Sequence, residues 1–472
     1  MPAPIGPNDI VTVVGKYLVK QSDGSRFLMK GIAFPVSNEI PSNSAQYRYH
    51  AKGWSAVLHQ LHETAPQINT VRVYAMDPSI DYSDFFHTAA QLGIYVLVPL
   101  TAATGPGVLD RTLPAPACYP LPLYEYGKAC IENFSRYPNV LAGVLANEVM
   151  NSLESWKAAP CVLAYARDLK RYSTRLPLLY TAQHDSIGAA VSASQAMKVT
   201  MDYLTCDSHN SMDLFGINIE SWCSSTQKYA VNDDGSMGTY RAVYEALSHV
   251  NRPVVFSEMG CSLTEFNKDN GLPRGARDWQ QVAVVLGEHM IDTWSGFCAY
   301  AYDGNVNFNM MSGGPWNGVT VLEPKHDYEN FVRALAMADD AADGVDAADG
   351  VSPSSPIEID IEIEIGIALP SPLSSCVNVT VQLLDCCDLT LLSLEDMPSY
   401  ADYDDNIVVV VASHDRWPVY LVCLVVCIYM LVRMLLGILQ RKKISVASPL
   451  IPTVHGKVTS YQCQYQSIPS KE

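Results

Sequence analysis

Through the first 305 residues, eight short apolar runs alternate with spans of helical periodicity. The runs are FLMKGIAF (27–34), TVRVYAM (70–76), YVLVPL (95–100), LAGVLANEV (141–149), PLLYTAQ (177–183), LFGINIES (214–221), VVFSEMG (254–260) and GFCAYAY (296–302). Between them lie WSAVLHQLHET, SDFFHTAAQLG, YEYGKACIENFSRY and DWQQVAVVLGEHMIDTW, whose apolar residues recur at helical spacing. Strands this uniformly apolar need cover on both faces, which is parallel-sheet architecture. Eight of them alternating with helices predict a (β/α)8 TIM barrel. The alternative is a doubly wound sheet, but no GxGxxG follows the first strand. The opening VTVVGKYLVKQSDGSRFL reads as a β-hairpin closing the barrel's bottom.

Two of these runs end on a carboxylate. Glu148 closes the fourth and Glu258 the seventh. In a (β/α)8 barrel, residues at strand C-termini project into the active-site mouth. Two carboxyl groups in one cleft are the minimum machinery for cleaving a glycosidic bond. One is held protonated to assist the leaving oxygen; the other is ionised to attack the anomeric carbon. Placement on the fourth and seventh strands suits a separation near ~5 Å, the retaining route through a covalent glycosyl-enzyme. Asn147, beside Glu148, has an amide suited to a sugar 2-OH, a bond that tightens in the transition state. The competing reading is a pair of ordinary surface or salt-bridged glutamates.

VLANEVMNS, NTVRVYAMDP, FGINIESWC and PVVFSEMGC, in the combination found here, resemble the fungal-type β-1,3-glucanosyltransferases of glycoside hydrolase family 72 over about residues 10 to 335. The resemblance implies a (β/α)8 barrel with the acid/base at Glu148 and the nucleophile at Glu258. It matches Tyr74 and Tyr300 to tyrosines of the sugar cleft, where a phenol can stack on a pyranose or bond the nucleophile's oxygen. Core packing is the competing reading for the neighbouring Tyr302. The implied reaction cuts an internal β-1,3-glucan bond and passes the fragment from a donor chain to an acceptor chain, with no cofactor. The resemblance also implies a Cys223–Cys261 disulfide and a more distant partner for Cys206, for which Cys376 is the nearest candidate. Three positions depart from the family pattern that the resemblance implies: Pro99 where it carries an acidic residue, Glu220 in place of a tyrosine, and Met259 in place of an aromatic. Retaining hydrolysis, or glucan binding with weakened catalysis, are the alternative activities.

The net charge of −18 is unevenly spread: residues 337–416 hold 17 acidic residues and one basic one. That segment reads as an acidic, mostly disordered stalk, following a catalytic domain over 1–336. No basic patch of nucleic-acid type occurs, so a neutral carbohydrate suits the main domain better than a polyanion. The cysteines form no CxxC pattern in the soluble part and no HxxxH occurs, so no metal is expected. WPVYLVCLVVCIYMLVRMLLGIL (417–439) is long enough to span a bilayer, with Arg433 near its basic end. The basic tail, 440–472, then faces the cytosol, and the barrel stands outside the cell at the plasma membrane. Sequons at Asn133 and Asn378 are compatible with that route. MPAPIGPNDIVTVVG has no basic n-region or long apolar h-region, so a signal peptide is not read in it; an incomplete start or atypical targeting is expected.

Overall fold

The eight apolar runs form eight parallel strands of one closed barrel. The computed structural model describes residues 4–6, 9–34, 44–173, 175–184, 193–205, 211–223, 226–263, 276–303, 305, 307–312, 322–349 and 396–400. Cys206, Cys376, the Asn378 sequon and the apolar stretch 417–439 lie outside these residues. Among the described residues, no helix is long and apolar enough to cross a membrane.

A hairpin, β1 (Val11–Val14) and β2 (Tyr17–Lys20), precedes the barrel. The barrel strands are β3 (Met29–Ala33), β4 (Thr70–Arg72), β5 (Tyr95–Pro99), β6 (Val140–Asn147), β7 (Leu178–Gln183), β8 (Leu214–Ile219), β9 (Val254–Met259) and β10 (Trp294–Ala299). Each pairs with the next, and β10 returns to β3. A doubly wound sheet would leave two open edges, so closure decides between the two architectures. The helices α1 (Ser44–Thr64), α2 (Ser83–Gln91), α3 (Leu121–Phe134), α4 (Ala159–Tyr172), α5 (Ala193–Thr205), α6 (Thr239–Leu247) and α7 (Gln280–Leu286) lie between successive strands. After β10 come a two-stranded ribbon, β11 (Met311–Ser312) with β12 (Glu323–Pro324), and α8 (His326–Asp349). α8 takes in residues that the sequence reading gave to the acidic stalk.

Two cores explain why the strands are apolar on both faces. Inside the barrel, Met29, Leu97, Leu141, Val144, Leu179, Leu214 and Val255 pack together. Val11 and Leu18 of the hairpin join that cluster with Phe27. Phe27 meets Tyr95 edge-on at 4.8 Å, and the Tyr95 hydroxyl donates to the Asp9 carbonyl at 2.6 Å, so the hairpin plugs the bottom as expected. Outside, the helices bury their apolar faces on the strands. Phe85 and Phe86 of α2 are both fully buried, each contributing about 1.5–3 kcal/mol of transfer free energy.

The sequence expectation overran at one helix. DWQQVAVVLGEHMIDTW predicts helix through Trp294, but α7 stops at Leu286. Gly287 follows in an extended conformation (φ −98°, ψ −174°), and glycine is a weak helix former.

Candidate active site

At the C-terminal mouth, side chains from five strands or strand ends meet in one hydrogen-bonded network. Arg72, the last residue of β4, lies at its centre and is 1 % exposed. Its Nη1 donates to Asn218 Oδ1 (3.2 Å), the Ser257 carbonyl (2.9 Å) and Glu258 Oε1 (3.0 Å). Its Nη2 donates to Asn147 Oδ1 (2.7 Å) and Thr181 Oγ1 (3.3 Å). A buried guanidinium needs this many acceptors, because an unpaired charge inside a protein is heavily penalised.

Asn218 on β8 joins the two glutamates. Its Nδ2 donates to Glu148 Oε1 at 2.8 Å and to Asn147 Oδ1 at 3.1 Å. Its Oδ1 accepts from Arg72 and from Ser257 Oγ at 2.7 Å. Glu148 and Glu258 therefore stand one asparagine and one guanidinium apart across the mouth. Gly216, two residues earlier on β8, makes room for this packing: a Cβ there would lie 2.7 Å from Ser257 Oγ.

Local backbone irregularities aim both carboxylates. Glu148 follows β6 with φ of 51°, a left-handed conformation that costs a β-region residue about 1 kcal/mol or more. Its N–H donates to the Thr181 carbonyl at 2.8 Å, and its carbonyl accepts from Arg111 Nη1 at 2.9 Å. On β9, the pairing with β8 slips between Phe256 and Glu258. Such a slip re-aims side chains near active sites; here Ser257 bonds Asn218 while Glu258 still meets Arg72.

Burial pushes the Glu258 carboxyl up to about 7; Arg72 pulls it down, Glu148 raises it, the Tyr74 hydrogen bond lowers it, and Glu220 raises it. The nearby carboxyl of Glu148 thus disfavours ionisation of Glu258, as like charges sharing a site do. The Tyr74 hydroxyl donates to Glu258 Oε1 at 2.9 Å. Burial first, opposed by Arg72 and reinforced by Glu258 and Tyr300, holds that phenol well above its ordinary pKa, so it stays a donor. Burial works against the Arg72 cation, yet Tyr74 and Glu258 hold its pKa above the usual value.

Of the tyrosines, Tyr74 bonds the Glu258 carboxyl, whereas the Tyr300 hydroxyl accepts from Asn305 Nδ2 at 3.3 Å. The two rings meet edge-on at 6.3 Å and are both half-buried. Tyr302 is fully packed in the outer core, the competing reading for that residue. Asn147 is exposed, and its oxygen takes three donors, Arg72, Thr181 and Asn218. Its NH2 end is what it can offer a ligand.

The strands' continuation is clamped from behind. Cys223 and Cys261 are joined, with Cα atoms 5.3 Å apart, linking the segment after β8 to the one after β9. Arg277 donates to the carbonyls of Cys261 (2.9 Å), Tyr300 (2.6 Å) and Phe308 (2.9 Å), while its Nε bonds both oxygens of Asp327 on α8. Gly260 allows that approach. It has φ of 134°, and a Cβ there would lie 2.9 Å from Arg277 Nη1. A second disulfide, Cys118–Cys161, ties the segment before α3 to α4.

The sequence reading named Glu148, Glu258, Asn147, Tyr74 and Tyr300, all of which stand at this mouth. It missed Arg72, Thr181, Asn218, Ser257, Arg277 and the Cys118–Cys161 bridge. A signal existed for two of them: Arg72 and Asn218 are polar residues inside otherwise apolar strand runs, where a buried polar group demands partners. No group of three or more His, Cys, Asp or Glu side chains among the described residues could hold a metal ion.

A family model described as glucanosyltransferase, glycoside hydrolase family 72, matches residues 7–338. Protein EPD1 of Candida maltosa is 26 % identical over 403 residues, covering 83 % of this chain and 67 % of its own length. The pH-responsive protein 1 of Candida albicans is 28 % identical, covering 69 % and 57 %. The 1,3-beta-glucanosyltransferase GAS2 of Saccharomyces cerevisiae is 25 % identical, covering 76 % and 61 %. The chain thus spans little more than half to two thirds of the length of these curated relatives. A solved structure of GAS2 in complex with laminaritetraose and laminaripentaose superposes with a TM-score of 0.57 at 24 % identity, over 70 % of this chain and 68 % of that one, a likeness of fold. With the family model matched across the whole barrel, this chain belongs to the glucanosyltransferases of glycoside hydrolase family 72.

Proposed function

We propose that this protein is a retaining β-1,3-glucan transglycosylase, with Glu148 as acid/base and Glu258 as nucleophile. The observation that carries the reading is the single network holding both carboxyls at the mouth of a family 72 barrel. Glu258 Oε1 receives both Arg72 and Tyr74, which favours the ionised form and leaves Oε2 to attack the anomeric carbon. As that C–O bond forms, the glycosidic bond breaks and Glu148 delivers its proton to the leaving oxygen. An acceptor hydroxyl then gives its proton to Glu148 and attacks the anomeric carbon, releasing Glu258. The Asn147 amide meets the sugar 2-OH, and Tyr74 and Tyr300 form an aromatic wall for the ring. The relative solved with laminari-oligosaccharides, and relatives named 1,3-beta-glucanosyltransferase, support β-1,3-glucan as donor and acceptor.

The test is incubation of the purified protein with laminari-oligosaccharides. Products longer than the substrate establish transfer; shorter products alone mean an endo-glucanase; an unchanged pool means a binding protein. Glu148→Gln and Glu258→Gln should each abolish turnover with the fold intact, since neither carboxyl can take the other's role. A Gln variant with near-wild-type rates would overturn the assignment.

The apolar stretch 417–439, flanked by Arg441, Lys442 and Lys443, supports a single membrane span with the barrel outside the cell. Protease added to intact cells should then remove the barrel. A protected barrel would exclude that placement.

A further inference from the structure

On α4, a carboxylate is buried with no exposure at all. Asp168 accepts from Tyr119 Oη at 2.9 Å and from Arg167 Nε at 2.7 Å. Its other donors come from a segment 231 and 232 residues downstream: Ser399 Oγ at 3.1 Å and the Tyr400 backbone N–H at 2.7 Å. Arg167 also bonds the Pro398 carbonyl, and Arg171 Nη1 reaches Ser399 Oγ at 3.3 Å. The Tyr400 ring packs on Tyr119 at 5.1 Å and Tyr124 at 6.1 Å, its hydroxyl donates to the Tyr119 carbonyl at 3.3 Å, and Met397 is buried.

We propose that this flank of α3 and α4 is a docking site for the chain's own residues 396–400, and that the contact shortens the tether between the barrel and whatever follows. The site reads backbone as well as side chain. A buried carboxylate aimed at a backbone N–H, with an aromatic floor beside it, recognises a short segment carrying one tyrosine. A solvated acidic stalk would supply none of these contacts. Docking makes 396–400 part of the folded barrel unit, which runs to Asp402.

The consequence is one of reach. From the end of α8 to Trp417 there are 67 residues, a contour of up to about 230 Å; from Tyr400 there are 16, or up to about 55 Å. If 417–439 spans the membrane, as proposed above, the free chain leading to it counts 16 residues in place of 67. The docking itself does not depend on that span.

Hydrogen exchange on the full chain tests the docking. The Tyr400 amide should exchange at least about tenfold more slowly than in a free peptide, and Asp168→Ala should abolish that protection while the barrel strands keep theirs. Tyr400→Ala, which leaves the barrel's own residues untouched, should release Met397 and Ser399 in the same way and serves if Asp168→Ala does not fold. Free-peptide exchange in the wild type would overturn the proposal. So would protection that disappears on dilution together with a dimer, because the occupant would then be a second copy's segment. For the tether, energy transfer from a barrel dye to an acceptor in the bilayer should weaken in Tyr400→Ala reconstituted in vesicles. Unchanged transfer in Tyr400→Ala, with exchange showing the wild-type segment docked and the variant's released, would overturn the shortened tether and leave the docking standing.

Discussion

Arg72→Met removes one charge from the mouth at nearly constant volume, and its effect follows from one distance. Arg72 Nη1 lies 3.0 Å from Glu258 Oε1. At an effective dielectric of about 20, two unit charges at that separation attract by about 5 kcal/mol. At about 1.4 kcal/mol per unit, that corresponds to about four on the pH scale. Relaxation and entering water will return part of it, so a rise of about two is a cautious expectation. Glu258 already stands near 7 because burial and Glu148 outweigh Arg72 and Tyr74. In the variant it should be almost wholly protonated at neutral pH, and the attacking form should fall about fiftyfold. The assay is kcat/KM for oligosaccharide transfer across pH 4 to 9. The acid limb should move to higher pH, so the deficit shrinks as pH rises. Stability should move with it. A carboxyl whose folded pKa lies above its unfolded value of 4.5 binds its proton more tightly in the folded protein. Its contribution is therefore complete below 4.5 and is lost as pH rises, to about 7 in the wild type and further in Arg72→Met. A variant with lowered activity but an unmoved acid limb would refute the idea that Arg72 sets the charge of Glu258.

Glu148→Gln removes a charge that raises Glu258, so the Glu258 carboxyl should titrate lower, which carbon NMR of the labelled side chain reads directly. Cys261→Ser opens a bridge of sequence separation 38, worth about 4 kcal/mol in the loop-entropy picture, and should lower both Tm and turnover. Cys161→Ser opens a bridge of separation 43 and should lower Tm by a similar amount. Arg277→Lys cannot bond Cys261, Tyr300, Phe308 and Asp327 together; kcat should fall more than KM rises, and equal loss of both would mean a purely structural part. Glu220→Tyr, restoring the residue that the family resemblance expects, should lower the acid limb of kcat/KM and lower KM for laminari-oligosaccharides.

The barrel was legible because parallel strands under helices are buried on both faces, so each appears as an unbroken apolar run. The carboxylates were legible for the converse reason: a charge closing such a run has no place in the core. Arg72 was not, although TVRVYAM shows it plainly. Which acceptors surround it depends on closure, and Glu258 lies 186 residues away. Asn218 hides in the same manner within FGINI. The Cys118–Cys161 pairing had no local signature, since cysteine spacing alone cannot choose among connectivities. The segment at 396–400 has no apolar period. Its order comes from what it meets on α4.

The three departures from the family pattern differ in what they can affect. Met259 is fully buried in the outer core with Phe256 and Trp294, on the helix side of β9. It changes packing behind the nucleophile and cannot touch a sugar in the mouth. Pro99 closes β5 and is buried there beside Val144, so it removes an acidic side chain from the strand end without adding a group that a hydroxyl could bond. Glu220 alone is exposed, one residue beyond β8, and alone changes the field at Glu258 and Tyr300. On the proposed function, the strands thus carry the bond-breaking machinery. The rim carries the difference. A negative charge in place of an aromatic ring there weakens stacking on a neutral sugar and makes the nucleophile harder to ionise. Selection among acceptors, more than cleavage itself, is where this chain should part from its relatives.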